Sequence, residues 1–308
     1  MASDLTSVGQ SEQPPLRFVT AASLFDGHDA AINIIRRLIQ SRGVEVIHLG
    51  HNRSVAEIVR AAIEEDADGI AVSSYQGGHI EFFRYMIDML AEQGAGHIRV
   101  FAGGGGTITP DEIRALEAYG VERIYHPNDS LKMGLREMID DLVERTEQQR
   151  KPIQIPVETS RENHLEVATL LSAIEEGNLS VATLESIRKE WQMKAGSVPV
   201  IGITGTGGAG KSSVTDELLN RFVHYFPEMY CAVLAVDPTH RRTGGALLGD
   251  RIRMNALGIH AGKVNQPLFM RSQATRQAHQ ATSRALADSI ALCRLGGFDL
   301  VIVETAGI

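Results

Sequence analysis

The residues with the clearest chemical signature form a glycine-rich run that ends in lysine and serine. The run matches GxxxxGK[ST] between a predicted strand and a predicted helix, and it contains Gly205, Thr206, Gly207, Gly208, Ala209, Gly210, Lys211 and Ser212, followed by Ser213. Such glycines let backbone amides turn toward phosphate oxygens, and the helix N-terminus adds partial positive charge. We expect Lys211 to reach the β- and γ-phosphates as a catalytic residue and the Ser212 hydroxyl to bind magnesium. The motif predicts a nucleoside triphosphate site.

Magnesium needs further oxygen ligands, and carboxylates at the ends of neighbouring strands are the expected ones. Three acidic residues stand at such positions: Asp237, Asp250 and Glu304. Glu304 begins the run ETAG, which resembles the DxxG element of GTPases with glutamate in place of aspartate. The resemblance makes Glu304 a second candidate catalytic residue, and it implies that the amide of Gly307 senses the γ-phosphate.

Arg253 follows Asp250 by three positions, so the two side chains share a face if a helix begins at Leu248. On that face the arginine either approaches the phosphates or pairs with Asp250. The sequence leaves both interpretations open.

A second polar group, formed by Asp26, Gly27 and His28, follows the first predicted strand. The run Asp26–Ala31 resembles DxHxxG, the signature of cobalamin-binding domains in which a protein histidine takes the lower axial position on cobalt. Imidazole suits cobalt, and a carboxylate two residues earlier can accept the other ring N–H. The resemblance implies that His28 binds cobalt and that Asp26 supports it, although Ala31 replaces the glycine of the signature. Taken alone, the motif also fits an ordinary loop histidine.

Two further strand ends follow the order of the same family. They carry Ser73 with Tyr75, where the family has SxL, and Gly103 with Gly104, where it has GG. Tyr75 in place of leucine is a departure that would narrow the tail pocket. These positions imply a channel for the dimethylbenzimidazole tail, with a hydrogen bond from Ser73 to its ring nitrogen. Gly77 and Gly78 open the next helix, where they either meet a polar group of the tail or form an ordinary turn.

The elements that position these residues alternate apolar runs with amphipathic stretches. The predicted strands are Leu16–Ala22, Val44–Leu49, Gly69–Ser73, Ile98–Ala102 and Arg123–Tyr125. The predicted helices are Ala30–Gln40, Val55–Glu65, Ile80–Gln93, Asp111–Ala118 and Leu131–Arg145, with cap signals at Ser54, Thr109 and Ser130. The pattern predicts a flavodoxin-like, doubly wound α/β domain over residues 16–150, after a disordered lead over residues 1–15.

Residues 151–196 read as a linker with a helical hairpin, and residues 197–308 as a second α/β unit. The hairpin helices are predicted at His164–Glu176 and Val181–Trp191, with cap signals at Thr159 and Ser180. Strands of the second unit are predicted at Val198–Thr204, Cys231–Val236 and Leu300–Val303. Because a strand lies almost at the last residue, we expect this P-loop domain to be incomplete in the chain.

Composition narrows the functional classes. The chain has 308 residues, 43 % of them apolar, and a formal charge of −8, which disfavours broad binding to nucleic acid or to a membrane surface. Its two cysteines, Cys231 and Cys293, argue against a disulfide framework and fit a reducing, cytoplasmic compartment. No apolar run reaches the ~18 residues that a membrane span requires.

Longer stretches extend the resemblance to nearly the whole chain. The blocks VDPTHRRTGGALLGDRIRM and VIVETAG resemble the metallochaperone GTPases that serve cobalamin-dependent mutases. The domain order resembles that of the fused isobutyryl-CoA mutases. That resemblance implies adenosylcobalamin, magnesium and GTP, a rearrangement of isobutyryl-CoA to n-butyryl-CoA, and a GTPase chaperone that gates cofactor loading. It also implies an acyl-CoA-binding barrel outside this chain, and we expect a homodimer.

Two other functions fit the same residues. One is a cobalamin-carrying GTPase metallochaperone that acts on a separate acyl-CoA mutase, and the other is a cobalamin-based sensor. For the main interpretation we hypothesise that the nucleotide state alters the loops near residues 237–250, which move the hairpin against the cobalamin face.

Overall fold

The computed structural model describes residues 14–104, 106–150, 156, 159–194, 198–237, 246–259, 267–275 and 285–307. All but the last two residues of the predicted disordered lead lie outside these ranges. So do residues 151–155 at the start of the predicted linker.

The first sheet contains the five strands that the alternation predicted. They are β1 (Arg17–Ser23), β2 (Glu45–Arg53), β3 (Gly69–Ser73), β4 (Arg99–Gly103) and β5 (Arg123–Tyr125). Their order is β5-β4-β3-β1-β2, and neighbouring strands pair in parallel. This is the flavodoxin-like order, which places the loops after β1, β3 and β4 at one edge.

Five helices cover the two faces of this sheet. They are α1 (Asp29–Ser41), α2 (Val55–Glu64), α3 (His79–Glu92), α4 (Pro110–Tyr119) and α5 (Pro127–Gln148). Ser54 and Thr109 form the capping boxes expected of them. The cap predicted at Ser130 is wrong, because α5 begins at Pro127 and the side chain of His126 caps it. A kink at Gly134, where φ is +80°, interrupts α5 within the predicted helix Leu131–Arg145.

Alternation along each strand fills both sides of the sheet. Phe18 of β1 packs with α1 and α5 residues, while the adjacent Val19 packs with residues of α2 and α3. Both side chains are fully buried. The strands are therefore buried on both faces, as expected for a parallel sheet.

The predicted hairpin is present as α6 (His164–Glu176) and α7 (Val181–Lys194). Ser180 caps α7 by accepting a hydrogen bond from the amide of Thr183 at 3.1 Å. The cap predicted at Thr159 is wrong, because Asn163 accepts the amide of Glu166 instead. Helix α6 packs against α2, and both hairpin helices pack against α10 (Leu286–Leu295).

The second sheet has four parallel strands in the order β6-β10-β7-β9. These are β6 (Val200–Ile203), β7 (Cys231–Asp237), β9 (Leu268–Ala274) and β10 (Leu300–Glu304), with helix α8 (Lys211–Tyr225) following β6. The sequence pattern predicted β6, β7 and β10 but missed β9 and α10. Strands β10 and β6 lie side by side, which brings the end of β10 next to the glycine-rich run.

A short segment of the second unit joins the first sheet. Strand β8 (Leu247–Leu248) pairs in parallel with β2, and it precedes a 3₁₀ turn (Asp250–Arg253) and helix α9 (Asn255–Ile259). No helix begins at Leu248, which is a strand residue, so the condition for Asp250 and Arg253 to share a face of an α-helix is not met; both lie in the 3₁₀ turn. The first sheet gains its sixth strand from the other domain.

Buried charges hold this contact between the two domains. Arg251 of the 3₁₀ turn forms ion pairs with Glu64 and Glu65 at the end of α2, the latter at 3.2 Å. Arg60 binds Glu64 at 2.8 Å and donates to the carbonyl of Leu257 at 3.0 Å. We call Arg60, Glu64, Glu65 and Arg251 the interdomain charge cluster. Each of its members is at most 6 % exposed, so every charge in it depends on its partners.

Within the described ranges, none of the helices has the length and apolar character that crossing a membrane requires.

We predict that Glu64→Gln strongly destabilises the chain. Burial disfavours the charge on Glu64, but Arg60 and Arg251 outweigh it and lower the pKa of this carboxyl. Removing one partner leaves buried arginines without their counter-charge, a change that costs about 3–5 kcal/mol of unfolding free energy. Denaturant unfolding measures this loss, and Glu217→Gln, which removes an exposed pair with Arg221, should cost less than ~1 kcal/mol.

The same substitution should alter the response to acid. A carboxyl with a lowered folded pKa contributes stability above its unfolded value of about 4.3 and loses it as the pH falls through the folded value. The stability of the Glu64→Gln variant should therefore fall less steeply below pH ~4 than that of the parent chain. Identical pH profiles would contradict this role of Glu64.

Candidate functional sites at two sheet edges

The glycine-rich run forms a loop between β6 and the N-terminus of α8, as its motif requires. Gly208 and Gly210 have φ angles of +81° and +85°, a backbone conformation that side chains disfavour. The Nζ of Lys211 donates hydrogen bonds to the carbonyls of Gly205 at 3.1 Å and Thr206 at 3.3 Å. The lysine head therefore lies over the loop, where the phosphates of a nucleotide would bind.

Glu304 closes this site from the neighbouring strand. It is 1 % exposed, and its Oε1 accepts a hydrogen bond from the hydroxyl of Ser212 at 2.7 Å. Its Oε2 accepts one from the hydroxyl of Thr215 at 2.9 Å. Two of the residues predicted to serve magnesium thus contact each other directly, and a third residue holds the same carboxylate.

Gly307 lies against the phosphate-binding loop. A Cβ built on it would come within 2.9 Å of the Cα of Gly207 and within 3.3 Å of the Nζ of Lys211. Only glycine fits at that distance without displacement of the loop. Gly307 therefore lies beside the loop and the lysine head, and the contact of its amide with a terminal phosphate stays a prediction.

The remaining predicted nucleotide residues are less closely grouped. Asp237 is the last residue of β7 and is 8 % exposed. It lies two positions after Ala235, the residue of β7 that is paired with Glu304 in the sheet. Ser213 is exposed on the first turn of α8, and Arg253 is exposed at the end of the 3₁₀ turn. The side chain of Asp250 lies outside the described part of the chain.

The described residues include no group of three His, Cys, Asp or Glu side chains arranged to hold a metal ion. Among the described candidates for magnesium, Ser212 and Glu304 contact each other and Asp237 ends the neighbouring strand, so a magnesium ion at this edge would need nucleotide and water oxygens as well.

At the edge of the first sheet, one buried carboxylate organises two loops. Asp26 is fully buried, and its Oδ1 lies 2.9 Å from both the amide nitrogen and the Nδ1 of His28. Its Oδ2 accepts a hydrogen bond from the amide of Tyr75 at 2.9 Å. The loops after β1 and β3 are thereby joined through a single side chain.

The ring of His28 lies at the surface beside Tyr75. Its side chain is 64 % exposed, and the centres of the two rings are 5.1 Å apart. Because Asp26 engages Nδ1, Nε2 is the ring nitrogen available to a metal. The sequence predicted the pairing of Asp26 with His28, and the structure brings the two side chains together.

A cavity of about 280 Å³ opens beside this loop. Its walls come from α1, the ends of β3 and β4, and α5, and they include Ala31, Ile35, Ser73, Tyr75, Gly103, Gly104, Tyr125 and Met138. The hydroxyl of Ser73 is buried in this wall and has no hydrogen-bond partner within the described ranges. A mostly apolar cavity with one unsatisfied hydroxyl suits a flat aromatic base that carries a ring nitrogen.

Glycine is required at one point of this wall. A Cβ on Gly104 would lie 2.0 Å from the carbonyl oxygen of Ser74, so any side chain there would displace the loop after β3. Gly77 and Gly78 are absent from the described cavity lining, although Gly78 caps α3 with a φ of +80°. Of the sequence-predicted tail residues, Ser73, Tyr75, Gly103 and Gly104 meet at the cavity.

Sequence reasoning missed several contributors. Thr215 lies three residues after Ser212 on α8, and this helical spacing was the available signal for its contact with Glu304. Tyr125 and Met138 line the cavity, but their sequence pattern is that of ordinary core residues. Their role depends on how α5 packs, which local sequence does not specify.

Comparison with known proteins assigns a family to each of the two domains. Residues 16–131 match the family described as B12 binding domain, and residues 168–308 match the Methylmalonyl Co-A mutase-associated GTPase MeaB family. The fold and the two sites therefore define a two-domain protein that joins a cobalamin-binding domain to a GTPase domain. Cobalamin and GTP are the ligands that these domains indicate.

Full-length relatives identify the family more closely. The chain is 54 % identical over 305 residues to a fused isobutyryl-CoA mutase of Cupriavidus metallidurans, covering 97 % of this chain and 27 % of that protein. It is 51 % identical over 308 residues to a fused isobutyryl-CoA mutase of Geobacillus kaustophilus, with 95 % and 27 % covered. The chain belongs to the fused isobutyryl-CoA mutase family, and it spans about a quarter of the length of these relatives.

A further relative is similar over a shorter stretch. The 2-hydroxyisobutanoyl-CoA mutase small subunit of Aquincola tertiaricarbonis is 35 % identical over 114 residues, which cover 37 % of this chain and 82 % of the subunit.

Proposed function

We propose that the first domain holds cobalamin with His28 as the lower axial ligand of cobalt and with the nucleotide tail in the 280 Å³ cavity. The observation that carries this proposal is the pairing of Asp26 with His28 beside that cavity, with Nδ1 and Oδ1 2.9 Å apart. An imidazole whose Nδ1 is held by a carboxylate presents Nε2 to the metal in a fixed orientation.

The tail would be held by contacts already present in the cavity wall. Ser73 supplies a buried hydroxyl for the ring nitrogen of the tail base, and the glycines at 103 and 104 leave room for the chain that leads to it. Ala31, where the signature has glycine, lines the same cavity, so its methyl group would contact the tail.

In the second domain we propose a magnesium-dependent GTPase. Lys211 would contact the β- and γ-phosphates after leaving the loop carbonyls that it now binds. The hydroxyl of Ser212 would turn from Glu304 to the metal, while the carboxylate stays held by Thr215. The amide of Gly307 would donate to the γ-phosphate, and Glu304 would position the metal with its water.

For the whole protein we propose an adenosylcobalamin-dependent acyl-CoA mutase that converts isobutyryl-CoA to n-butyryl-CoA. Its support is the family membership of a chain that covers 27 % of its relatives. When bound, adenosylcobalamin supplies the carbon radical that the rearrangement needs. The acyl-CoA would bind a barrel domain outside this chain. The proposal includes a homodimer in the cytoplasm, where two buried cysteines with raised thiol pKa values would stay reduced.

We further propose that the GTPase domain gates the loading of the cofactor. The interdomain charge cluster and the pairing of β8 with β2 support this, because they join the segment after β7 to the cobalamin domain directly. The hairpin also contacts that domain, through His164 at 3.0 Å from Glu64. The contact made by the 3₁₀ turn gives the gating hypothesis a shorter route than movement of the hairpin.

Replacing the proposed cobalt ligand tests the first proposal. We expect His28→Ala to abolish the absorption change that accompanies histidine binding to cobalt when cobalamin is added, because the imidazole proposed to bind the metal is removed. His224→Ala, an exposed histidine on α8, should leave the absorption change intact. An unchanged spectrum in His28→Ala would show that the ligand is assigned wrongly.

Replacing the buried carboxylate of Glu304 tests the proposed magnesium-dependent GTPase. Glu304→Gln removes the charge that Ser212 and Thr215 now contact, so the magnesium concentration that half-maximally slows release of a fluorescent GDP analogue should rise about tenfold. GTP turnover should fall with it. Glu217→Gln, on the helix α8 that carries Ser212 and Thr215, serves as the matched control. A magnesium requirement equal to that of the parent would contradict the assignment.

Gating predicts that the nucleotide changes cobalamin affinity. We expect the dissociation constants for cobalamin with GDP and with a non-hydrolysable GTP analogue to differ by about fivefold or more. The ratio of the affinities for the GTP analogue and for GDP should then change by the same factor when cobalamin binds. Titration by absorbance measures the first and fluorescence the second. Equal affinities in both nucleotide states would exclude the coupling.

A further inference from the structure

The loop that carries His28 is tied to the neighbouring strand by one hydrogen bond. The amide of Phe25 donates to the Oδ1 of Asn52 at 2.8 Å. Phe25 directly precedes Asp26, and Asn52 is the penultimate residue of β2. The bond therefore joins the end of β2 to the start of the loop that Asp26 organises.

Both residues have an unusual backbone conformation. Phe25 has a φ of +64° and Asn52 a φ of +57°, in the left-handed region. Asparagine tolerates this region, whereas a bulky aromatic residue rarely adopts it. Burial of the phenyl ring cannot offset the strain, because Phe25 is 78 % exposed. The hydrogen bond to Asn52 is thus a main contact that holds Phe25 in the conformation from which the chain turns inward to bury Asp26.

We propose that Asn52 is a positioning residue for His28, and that the GTPase domain acts on the cobalt site through it. This inference rests on the proposed role of His28 as the cobalt ligand. Asn52 acts through the backbone of the loop: it fixes Phe25, which fixes the entry of Asp26, whose carboxylate orients the imidazole.

Strand β2 contacts the GTPase domain at two places close to Asn52. Strand β8 pairs with β2 at Val46 and Ile47. Gly50, with a φ of +85°, lies against Ile252 of the 3₁₀ turn, so closely that an added Cβ would be 3.0 Å from the Cδ1 of Ile252. The turn therefore touches β2 two residues before Asn52.

The end of β2 is also the part of that strand least fixed by the sheet. Its register with β1 shifts twice, between Thr20 and Ala21 and between Ala21 and Ser23. A bulged strand end bends more readily than a regular ladder. A displacement of the 3₁₀ turn would therefore move Gly50 and Asn52 before it moved the centre of the sheet.

Three substitutions at one position separate the hydrogen bond from the backbone conformation. Asn52→Asp keeps an acceptor oxygen and tolerates positive φ, Asn52→Gly keeps the conformation and removes the acceptor, and Asn52→Ala removes both. Asn178→Gly, an exposed loop asparagine bonded to Glu176, is the matched control away from both sites. Thermal unfolding identifies any variant that is not folded.

The first measurement needs no cofactor. Amide hydrogen exchange at Phe25 should speed up in Asn52→Gly and Asn52→Ala, and should match the parent in Asn52→Asp and Asn178→Gly. The second is the absorbance titration with cobalamin, in which loss of a hydrogen bond worth about 1 kcal/mol should weaken binding about fivefold in Asn52→Gly and leave Asn52→Asp within about twofold of the parent.

Two outcomes would overturn the inference. One is the same exchange rate and the same cobalamin affinity in Asn52→Gly as in Asn52→Asp. The other is a difference between GDP and the GTP analogue in cobalamin affinity that persists unchanged in Asn52→Gly, which would show that the GTPase domain acts elsewhere. If either occurs while His28→Ala loses the absorption change, the cobalt ligand stays in place and only the role of Asn52 is removed. An absorption change retained in His28→Ala removes the proposed function itself.

Discussion

The carboxylate of Asp26 is the contact on which the cobalamin edge depends. A fully buried carboxylate is tolerated only if hydrogen-bond donors replace water, and Asp26 finds them in the backbone amides of His28 and Tyr75 and in the imidazole. Because those donors belong to the loops after β1 and β3, satisfying one charge fixes the distance between the loops. The cavity beside them and the exposed face of His28 follow from that distance.

Glu304, at the edge of the second sheet, is also a buried carboxylate, but its hydrogen-bond donors are of another kind. Its two oxygens accept hydrogen bonds from the hydroxyls of Ser212 and Thr215, both on α8. A hydroxyl can rotate to another partner at little cost, whereas an amide cannot turn without moving the chain. The hydroxyl contacts of Glu304 can therefore change partner more easily than the amide contacts of Asp26.

Local pattern predicted the first sheet and both loops because their signals are local. Alternation locates β1 to β5, and the glycine spacing of the phosphate-binding loop carries its own geometry. Strand β9 was not predicted because it contains the polar run Arg271, Ser272 and Gln273, which is typical of a loop. Its polar side chains are accommodated by residues distant in sequence: Ser272 binds Glu65, and Gln273 binds Ser289. Leu247 and Leu248 form a strand only because β2 lies beside them. Pro127, a residue favoured in the first turn of a helix, indicated a helix start after His126. Serine is a commoner cap residue than histidine, which favoured Ser130 instead.

The interdomain charge cluster is better understood as a determinant of geometry than as a source of stability. Moving Arg60, Glu64, Glu65 and Arg251 out of water costs several kcal/mol per ion, and their attraction roughly repays it, so an apolar contact of equal volume would hold the domains as firmly. An apolar contact, however, tolerates sliding. Arg251 meets Glu64, Glu65 and the carbonyl of Met270 at once, which only one position of the 3₁₀ turn allows. That single position also sets where Ile252 touches Gly50, and hence the register in which β8 adds to the sheet of the other domain.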